Sequence, residues 1–231
     1  MNQDELKRRV GEAALDYVRP DSIIGVGTGS TVNCFIEALI NSGIRIEAAV
    51  SSSEATTRLL QAGGIEVVDL NHTGGLDVYI DGADEFDAHR RLIKGGGGAL
   101  LQEKIVASAS DQMIVIADFD KHVPHLGKFP LPVEVLRFGL ASSREHIARL
   151  LADHGLVERD ITMRMQGDAP FVTDEGNFIL DLHLEQIPDA PALAIALNQV
   201  PGVVENGLFI HICDRVILGA SDGRIEEHVR P

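Results

Sequence analysis

The stretch SIIGVGTGSTVNCFIEALINSG, residues 22–43, predicts a β-strand, a tight turn and an α-helix in direct succession. It begins with a short β-branched run, and apolar residues then recur at helical spacing from Val32 to Ile40. A glycine-rich turn there either shapes the backbone only or binds an anion at the helix N-terminus. We expect this stretch to supply the first strand and the next helix of an α/β domain.

The alternation of strands and helices continues beyond this stretch. A helix is predicted in MNQDELKRRVGEAALDYV before it, and later helices are predicted in SEATTRLLQAG and GALLQEKIVASAS. Strands are predicted in RIEAAVSSS, IEVVDL, LDVYID and QMIVIAD. Because strands that alternate with helices form parallel sheets covered on both faces, we expect a Rossmann-like α/β domain.

The pattern changes beyond about residue 128, where the proline-marked FPLPVEVL precedes the predicted helix SREHIARLLADHG. Strands follow in VERDITMRM and FVTDEGNFILDLHL, which meet at the turn-rich GDAP, then a helix in DAPALAIALNQV and a strand in GLFIHI. The order β-α-β-β-α-β predicts a smaller α+β, ferredoxin-like unit. We expect a catalytic α/β domain of residues 1–128 and 206–231 and a smaller domain of residues 129–205.

Composition restricts the class of protein. An excess of 35 acidic over 20 basic residues gives a formal net charge of −15, which argues against nucleic acid as a partner. No apolar run approaches the roughly 18 residues needed to cross a bilayer, and the N-terminus does not resemble a signal peptide. The two cysteines lack the spacing of a metal or redox site. We expect a soluble, cytoplasmic protein without membrane association.

The glycine-rich turn does not match the common nucleotide motifs. A dinucleotide fingerprint would place its third glycine at position 30, where Ser30 stands, and the next strand ends in serines where an acidic ribose ligand would be needed. The GK[ST] ending of a P-loop is absent as well. The hydroxyls of Thr28, Ser30 and Thr31 suit a single phosphate or a polyol.

A second informative stretch is DGADEFDAHRRLIKGGGGALLQEKI, residues 81–105. Asp81 ends a predicted strand, at the rim where open α/β sheets bind ligands, and Lys94 precedes four glycines and a helix that carries Glu103. The stretch is either a solvated acidic loop beside a hinge or an active site. An acid, a lysine and clustered backbone donors are what proton abstraction next to a carbonyl requires.

These blocks resemble the A type of ribose-5-phosphate isomerase along essentially the whole chain. The resemblance is carried by VGTGST, AVSSSEAT, DGADE, IKGGGGALLQEKI, ADFDKHV, LGKFPLPVEV, TDEGNFILD and PGVVENGLF. It implies interconversion of D-ribose 5-phosphate and D-ribulose 5-phosphate through a cis-enediolate, in the pentose phosphate pathway. It also implies that no cofactor or metal takes part and that the protein is a homodimer or homotetramer.

The resemblance also implies roles for individual residues. Glu103 matches the general base, Asp81 would move protons between oxygens and assist ring opening, and Lys94 with the glycine amides would stabilise the enediolate. The implied catalytic residues are Glu103, Asp81, Lys94 and Asp84. The implied substrate-binding residues are Thr28, Gly29, Ser30, Thr31, Asp81, Gly82, Ala83, Asp84, Lys94, Gly95, Gly96, Gly97, Lys121 and Lys7.

Two positions depart from the family pattern without removing a catalytic group. Gly98 stands where alanine is common, and Gln102 stands where arginine is common. Two other functions remain open at this point: a related sugar-phosphate deaminase, and a non-catalytic sugar-phosphate sensor. Ammonia release would reveal the former, and tight binding without turnover the latter.

Overall fold

A computed structural model describes residues 2–229 of the chain. The α-helices within them are α1 (Gln3–Ala13), α2 (Ser30–Ser42), α3 (Glu54–Ala62), α4 (Leu100–Ser108), α5 (Leu140–Asp153) and α6 (Ala190–Leu197). Short 3₁₀ helices span Ala14–Tyr17, Leu70–His72 and Phe119–Lys121. In this part of the chain, no helix combines the length and apolar character needed to span a membrane.

Fifteen strands lie within the same residues. The first six are β1 (Ile23–Val26), β2 (Ala48–Ser51), β3 (Tyr79–Asp81), β4 (Glu85–Phe86), β5 (Leu92–Ile93) and β6 (Met113–Asp118). The next five are β7 (Leu131–Val135), β8 (Asp160–Met163), β9 (Met165–Gln166), β10 (Ala169–Pro170) and β11 (Phe178–His183). The last four are β12 (Val203–Asn206), β13 (Leu208–Phe209), β14 (Arg215–Gly219) and β15 (Ile225–Val229).

The chain divides into two compact units. Unit 1 comprises residues 1–83, 102–122 and 211–231, and unit 2 comprises residues 84–101 and 123–210. The predicted boundaries placed residues 84–101, 123–128 and 206–210 with the first domain, but the structure groups them with unit 2. The reason is backbone pairing, since β4 and β5 form an antiparallel sheet with β13.

Unit 1 is built on a six-stranded sheet in the order β2-β1-β3-β6-β14-β15. Neighbouring strands are parallel from β2 to β14, and β15 joins the edge through an antiparallel hairpin with β14. The predicted Rossmann-like α/β fold is confirmed.

The two faces of this sheet are covered by different helices. Ile24 and Val26 belong to a buried apolar cluster with residues of α1 and α2. The alternate residues Gly25 and Tyr79 face the other way, and a β-carbon added to Gly25 would contact Val106 of α4. The period-two alternation of the strands therefore puts Tyr79 and Asp81 on the face that α4 covers.

Unit 2 contains a four-stranded antiparallel sheet in the order β12-β7-β11-β8. With α5 and α6 between its strands, it has the order β-α-β-β-α-β that the sequence predicted. Its core joins one face of the sheet to both helices, through residues such as Val133, Leu180, Ile147 and Leu193. Alternate strand positions, including Glu134 and Asp181, point to the opposite face.

Two strand predictions were wrong in detail. IEVVDL contributes only an isolated bridge from Val67 to Ala49, because the Asp69 side chain accepts from the Asn71 amide and starts a 3₁₀ helix. The final strand of the ferredoxin-like unit is β12, in VVEN, and not GLFIHI. Leu208 and Phe209 of the latter pair instead with β5.

The close packing of α1 on α2 generates a stability prediction. A β-carbon on the buried Gly11 would lie 2.8 Å from the backbone nitrogen of Phe35. We expect Gly11→Ala to lower the free energy of unfolding by about 1 to 3 kcal/mol, despite the higher helix propensity of alanine. Urea unfolding followed by circular dichroism measures the change.

The matched control is Gly74→Ala, at an exposed glycine around which an added β-carbon meets nothing within 4 Å. This variant should be neutral or stabilised by up to about 1 kcal/mol, because alanine restricts the unfolded chain. Equal stabilities of the two variants would contradict the proposed close helix contact.

Candidate active site

The strand order of unit 1 reverses between β1 and β3, since β2 lies on one side of β1 and β6 lies beyond β3. Open α/β sheets bind ligands outside the carboxyl ends of the strands at such a point. The residues that leave β1 there are Gly27 and Thr28, and β3 ends at Asp81. The turn of the first stretch and Asp81, the first residue of the second stretch, therefore meet at this edge.

The Asp81 side chain is fully buried at this edge. Its Oδ1 accepts hydrogen bonds from the backbone amides of Thr28, at 3.0 Å, and Gly82, at 2.7 Å. Its Oδ2 accepts from the Tyr79 hydroxyl at 2.5 Å. Burial of a carboxylate is costly without compensation, and hydrogen bonds to an ionised acceptor are the strong ones. The site thus holds this oxygen pair in one orientation.

Gly27 is required by the position of Asp81. A β-carbon added to Gly27 would lie 2.0 Å from Asp81 Oδ1, inside the van der Waals distance of any side chain. The glycine of GVGTGST that precedes Thr28 therefore serves to admit the carboxylate. Gly29, with φ 123°, provides the left-handed turn that starts α2.

Tyr79 and Glu103 complete this cluster on the face covered by α4. Burial raises the pKa of Tyr79 well above its ordinary value, and the negative charges of Asp81 and Glu103 raise it further. Tyr79 therefore keeps its proton and acts as a hydrogen-bond donor to Asp81. Glu103 lies in the first turn of α4 and is 3% exposed, so its carboxyl group is largely shielded from water.

The hydroxyl groups of the glycine-rich turn differ in their surroundings. Thr28 Oγ1 donates to Ser53 Oγ at 2.8 Å and lies 3.0 Å from Ser52 Oγ, so its hydroxyl is engaged within the protein. Ser30 is exposed at the N-terminus of α2 and accepts from Lys7 Nζ at 3.1 Å. An ammonium group at a helix N-terminus favours an anion such as phosphate. Thr31 is half-buried in the same turn.

Lys121 lies in the 3₁₀ turn that follows β6, the neighbour of β3 in the sheet. It is half-buried, and within residues 2–229 it makes no hydrogen bond or ion pair with another predicted site residue. Ala83 is half-buried at the last position of the first segment of unit 1. Lys121 is thus placed on the ligand-binding edge by topology alone.

Unit 2 holds the glycine run and its neighbours. Asp84 Oδ2 accepts from the Gly96 amide at 2.7 Å, and a β-carbon on Gly96 would lie 2.5 Å from Asp84 Oδ1. The Gly96 amide, predicted as an enediolate donor, is therefore engaged by Asp84. Gly95 has φ 102°, and Gly97 is exposed.

Lys94 is 2% exposed, and its ammonium group lies 5.6 Å from the centre of the Phe209 ring. Its backbone amide donates to the Gly207 carbonyl. A β-carbon on Gly207 would lie 2.3 Å from the Lys94 carbonyl, so this close backbone approach also requires glycine. The strand pairing of β5 with β13 thus fixes the start of the glycine run.

Comparison with known proteins identifies the family of the chain. The family model of ribose 5-phosphate isomerase A (phosphoriboisomerase A) matches residues 48–223. A relative named ribose-5-phosphate isomerase A from Ruegeria pomeroyi is 52% identical over 227 residues, which cover 96% of this chain and 86% of the relative. The chain belongs to the ribose 5-phosphate isomerase A family.

Solved structures of the family have the same fold. The crystal structure of ribose 5 phosphate isomerase A from Neisseria gonorrhoeae aligns with a TM-score of 0.89 and 44% identity, over 99% of this chain and 97% of that one. A D-ribose-5-phosphate isomerase in complex with phospho-erythronic acid aligns with a TM-score of 0.90 and 36% identity, over the full length of both chains.

The sequence predictions for this ribose 5-phosphate isomerase A family member did not include three residues that the structure brings close to predicted site residues. Tyr79 lies two positions before Asp81, and the period of a strand could have placed both on one face. Arg164 and Asp181 adjoin the glycine run in unit 2, but they lie far from it in sequence and belong to no local motif. Within residues 2–229, no group of three or more histidine, cysteine, aspartate or glutamate side chains could hold a metal ion.

The buried contact between Tyr79 and Asp81 can be tested by Tyr79→Phe. The variant keeps the ring but removes a donor to a buried carboxylate, so we expect the free energy of unfolding to fall by about 1.5 to 3 kcal/mol. Urea unfolding at neutral pH measures it.

Tyr17→Phe is the matched control, since the Tyr17 hydroxyl donates to Glu227 at 2.7 Å in an exposed contact. In this variant water can replace the lost hydroxyl as the donor to Glu227. The expected fall in the free energy of unfolding is therefore under about 1 kcal/mol. A loss at Tyr79 no larger than the loss at Tyr17 would show that Asp81 does not depend on this donor.

Proposed function

We propose that the protein interconverts D-ribose 5-phosphate and D-ribulose 5-phosphate, as an aldose-ketose isomerase of the non-oxidative pentose phosphate pathway. The observation that carries the proposal is that two buried acids of unit 1 lie at the same face of its sheet, where both act on Tyr79. Asp81 is locked by backbone and tyrosine donors, and Glu103 is buried on the helix that covers that face. Membership of the family supports the assignment of substrate and reaction.

In the proposed reaction, Glu103 is the general base. Its carboxylate takes the proton from C2 of the open-chain aldose, and the electron pair of that bond forms the C1–C2 double bond of a cis-enediolate. Glu103 then returns the proton to C1, while a proton moves between the two oxygens with the help of Asp81. The redox change is internal to the sugar, so the equation balances without an electron acceptor.

The charge that develops on the enediolate oxygens needs a cation or oriented donors. We assign this role to Lys94 and to backbone amides of the run from Gly95 to Gly97. Because the Gly96 amide donates to Asp84, the proposal gives Asp84 a share in shaping that run. The segments Thr28–Thr31 and 81–84, together with Lys121, would bind the rest of the substrate.

We assign the phosphate of the substrate to the N-terminus of α2. The exposed Ser30 and the adjacent Lys7 ammonium supply a hydroxyl, a positive charge and the helix dipole. The excess of negative charge on the chain makes such local cations necessary for binding a phosphate ester.

The remaining proposals concern the whole protein. Phe138 is 93% and Ile195 68% exposed in unit 2, and exposed large apolar side chains favour association. We propose a homodimer or homotetramer, and sedimentation velocity gives the number of subunits. We also propose a cytoplasmic location. The proposed domains are a catalytic domain that includes the sheet of unit 1 and a smaller ferredoxin-like domain.

Incubation with ribose 5-phosphate in heavy water tests the reaction and the base together. The wild-type chain should form ribulose 5-phosphate with deuterium at C1, because a proton held on Glu103 exchanges with solvent. Glu103→Gln should lower kcat by about 10² to 10⁴-fold, the usual contribution of a positioned base, while the substrate still binds. Proton NMR of the sugar measures both.

The control is Glu37→Gln, an exposed acid on α2 of the same unit, which should leave kcat unchanged. Absence of ketose above the uncatalysed rate would refute the isomerase. If no ketose forms, release of ammonia from an amino-sugar phosphate would indicate a deaminase. Binding of a sugar phosphate without turnover would indicate a sensor. A near-normal kcat in Glu103→Gln would place the base elsewhere.

Lys7→Met tests the phosphate assignment. Removal of the ammonium group should raise KM for ribose 5-phosphate by about tenfold or more with little change in kcat, because the phosphate is bound equally in substrate and transition state. Arg8→Met removes an exposed cation one position along α1 and serves as the control. Equal KM values for the two variants would exclude a specific contact at Lys7.

A further inference from the structure

The glycine run of unit 2 is held from one side by an arginine. Arg164 Nη1 donates to the Gly95 carbonyl at 2.7 Å and to the Gly96 carbonyl at 3.1 Å. Arg164 also donates from Nε and Nη2 to the two oxygens of Asp181, at 3.0 and 2.5 Å. The fork of the guanidinium therefore joins a carboxylate on one edge to two successive peptide carbonyls on the other.

These contacts determine the direction of the peptide units. In a planar trans peptide the N–H points opposite to the C=O. The Gly95 carbonyl belongs to the peptide whose N–H, on Gly96, donates to Asp84 at 2.7 Å. That peptide is thus held between a guanidinium at its oxygen and a carboxylate at its nitrogen.

The next peptide has the same constraint at its oxygen. The Gly96 carbonyl accepts from Arg164, so the N–H of Gly97 is directed away from the guanidinium. Gly97 is exposed, and its amide is one of the donors assigned to the enediolate. The direction of that donor is consequently set by an arginine that lies on the opposite side of the run.

The surroundings of Arg164 make it a rigid support. The side chains of Arg164 and Asp181 are only 14% and 16% exposed. Asp181 lies within β11, at the centre of the four-stranded sheet, and the Arg164 amide donates to the Ile179 carbonyl of the same strand. The guanidinium therefore holds the glycine run in a fixed position relative to the sheet.

A second contact comes from the same segment of chain. The Phe171 amide donates to the Arg164 carbonyl, and the Phe171 ring lies over Gly98, where an added β-carbon would be 2.4 Å from ring atoms. The hairpin of β9 and β10 lies between these two residues. One segment thus restrains the run at both its carbonyls and its last glycine.

We propose that Arg164 is a positioning residue for the isomerisation, which orients the Gly97 amide toward the developing enediolate charge. The inference rests on the proposed function. Arg164 itself touches the backbone of the run and not the reacting atoms. Because the charge on the enediolate oxygens develops only in the transition state, loss of this orientation affects kcat far more than KM.

The test compares Arg164→Met with Arg144→Met. Arg144 is also in unit 2 and also donates to a backbone carbonyl, that of Ile161 in β8, at 2.7 Å, but within residues 2–229 it makes no hydrogen bond to the run. We expect Arg164→Met to lower kcat for ribose 5-phosphate by about tenfold to a hundredfold, with KM within about threefold of wild type. Arg144→Met should keep the wild-type kcat.

Two further measurements separate positioning from folding. Millimolar guanidinium should restore part of the kcat of Arg164→Met and have no effect on Arg144→Met. Hydrogen exchange of the peptide covering residues 94–101, followed by mass spectrometry, should be faster in Arg164→Met alone. If that variant does not fold, Arg164→Lys replaces it, since lysine keeps the charge but cannot join two carbonyls and Asp181.

The proposal is overturned if the folded Arg164 variant has a kcat within about twofold of wild type, because the expected positioning effect is larger than that. It is also overturned if the Arg164 and Arg144 variants lose kcat equally. Failure of the wild-type chain to convert ribose 5-phosphate would instead overturn the proposed function. In that case the exchange comparison still decides whether Arg164 orders the glycine run, and unchanged exchange would refute the contact as a support.

Discussion

The hydrogen bond from the Thr28 amide to the Asp81 carboxylate joins the ends of β1 and β3 where the strand order of unit 1 reverses. A fully buried carboxylate is tolerated only where donors replace water, and here they come from two backbone amides and the Tyr79 hydroxyl. Gly27 has to lack a side chain for the same reason. The local sequence around both strand ends follows from the need to hold this one charge.

The glycine run of unit 2 is also held by hydrogen bonds between backbone and charged side chains, but with the roles of backbone and side chain exchanged. There the backbone is the functional group, and charged side chains hold it in place. Asp84 binds an amide of the run, and Arg164 binds two of its carbonyls. Four successive glycines are conformationally costly to order, and charge-assisted hydrogen bonds restrain their peptides.

Much of the fold could be predicted because its signals are local. The β-branched runs that became β1, β3 and β6 lie between recognisable helices, and the alternation of strand and helix indicates a parallel sheet. The errors came where pairing is remote. Leu208 and Phe209 form a strand with β5, and residues 84–101 join unit 2 for that reason, although nothing near them in sequence indicates it.

The sequence by itself determined the α/β and ferredoxin-like units, the family, and the acids and lysines proposed for catalysis, because each depends on residues that lie close together along the chain. Only the tertiary structure decided that Tyr79 donates a hydrogen bond to a buried Asp81, that Asp84 binds the Gly96 amide, and that Arg164 supports the run. Arg164 lies sixty-nine positions from Gly95, and a hydrogen bond between them exists only once the folding of unit 2 has brought these two segments of chain together.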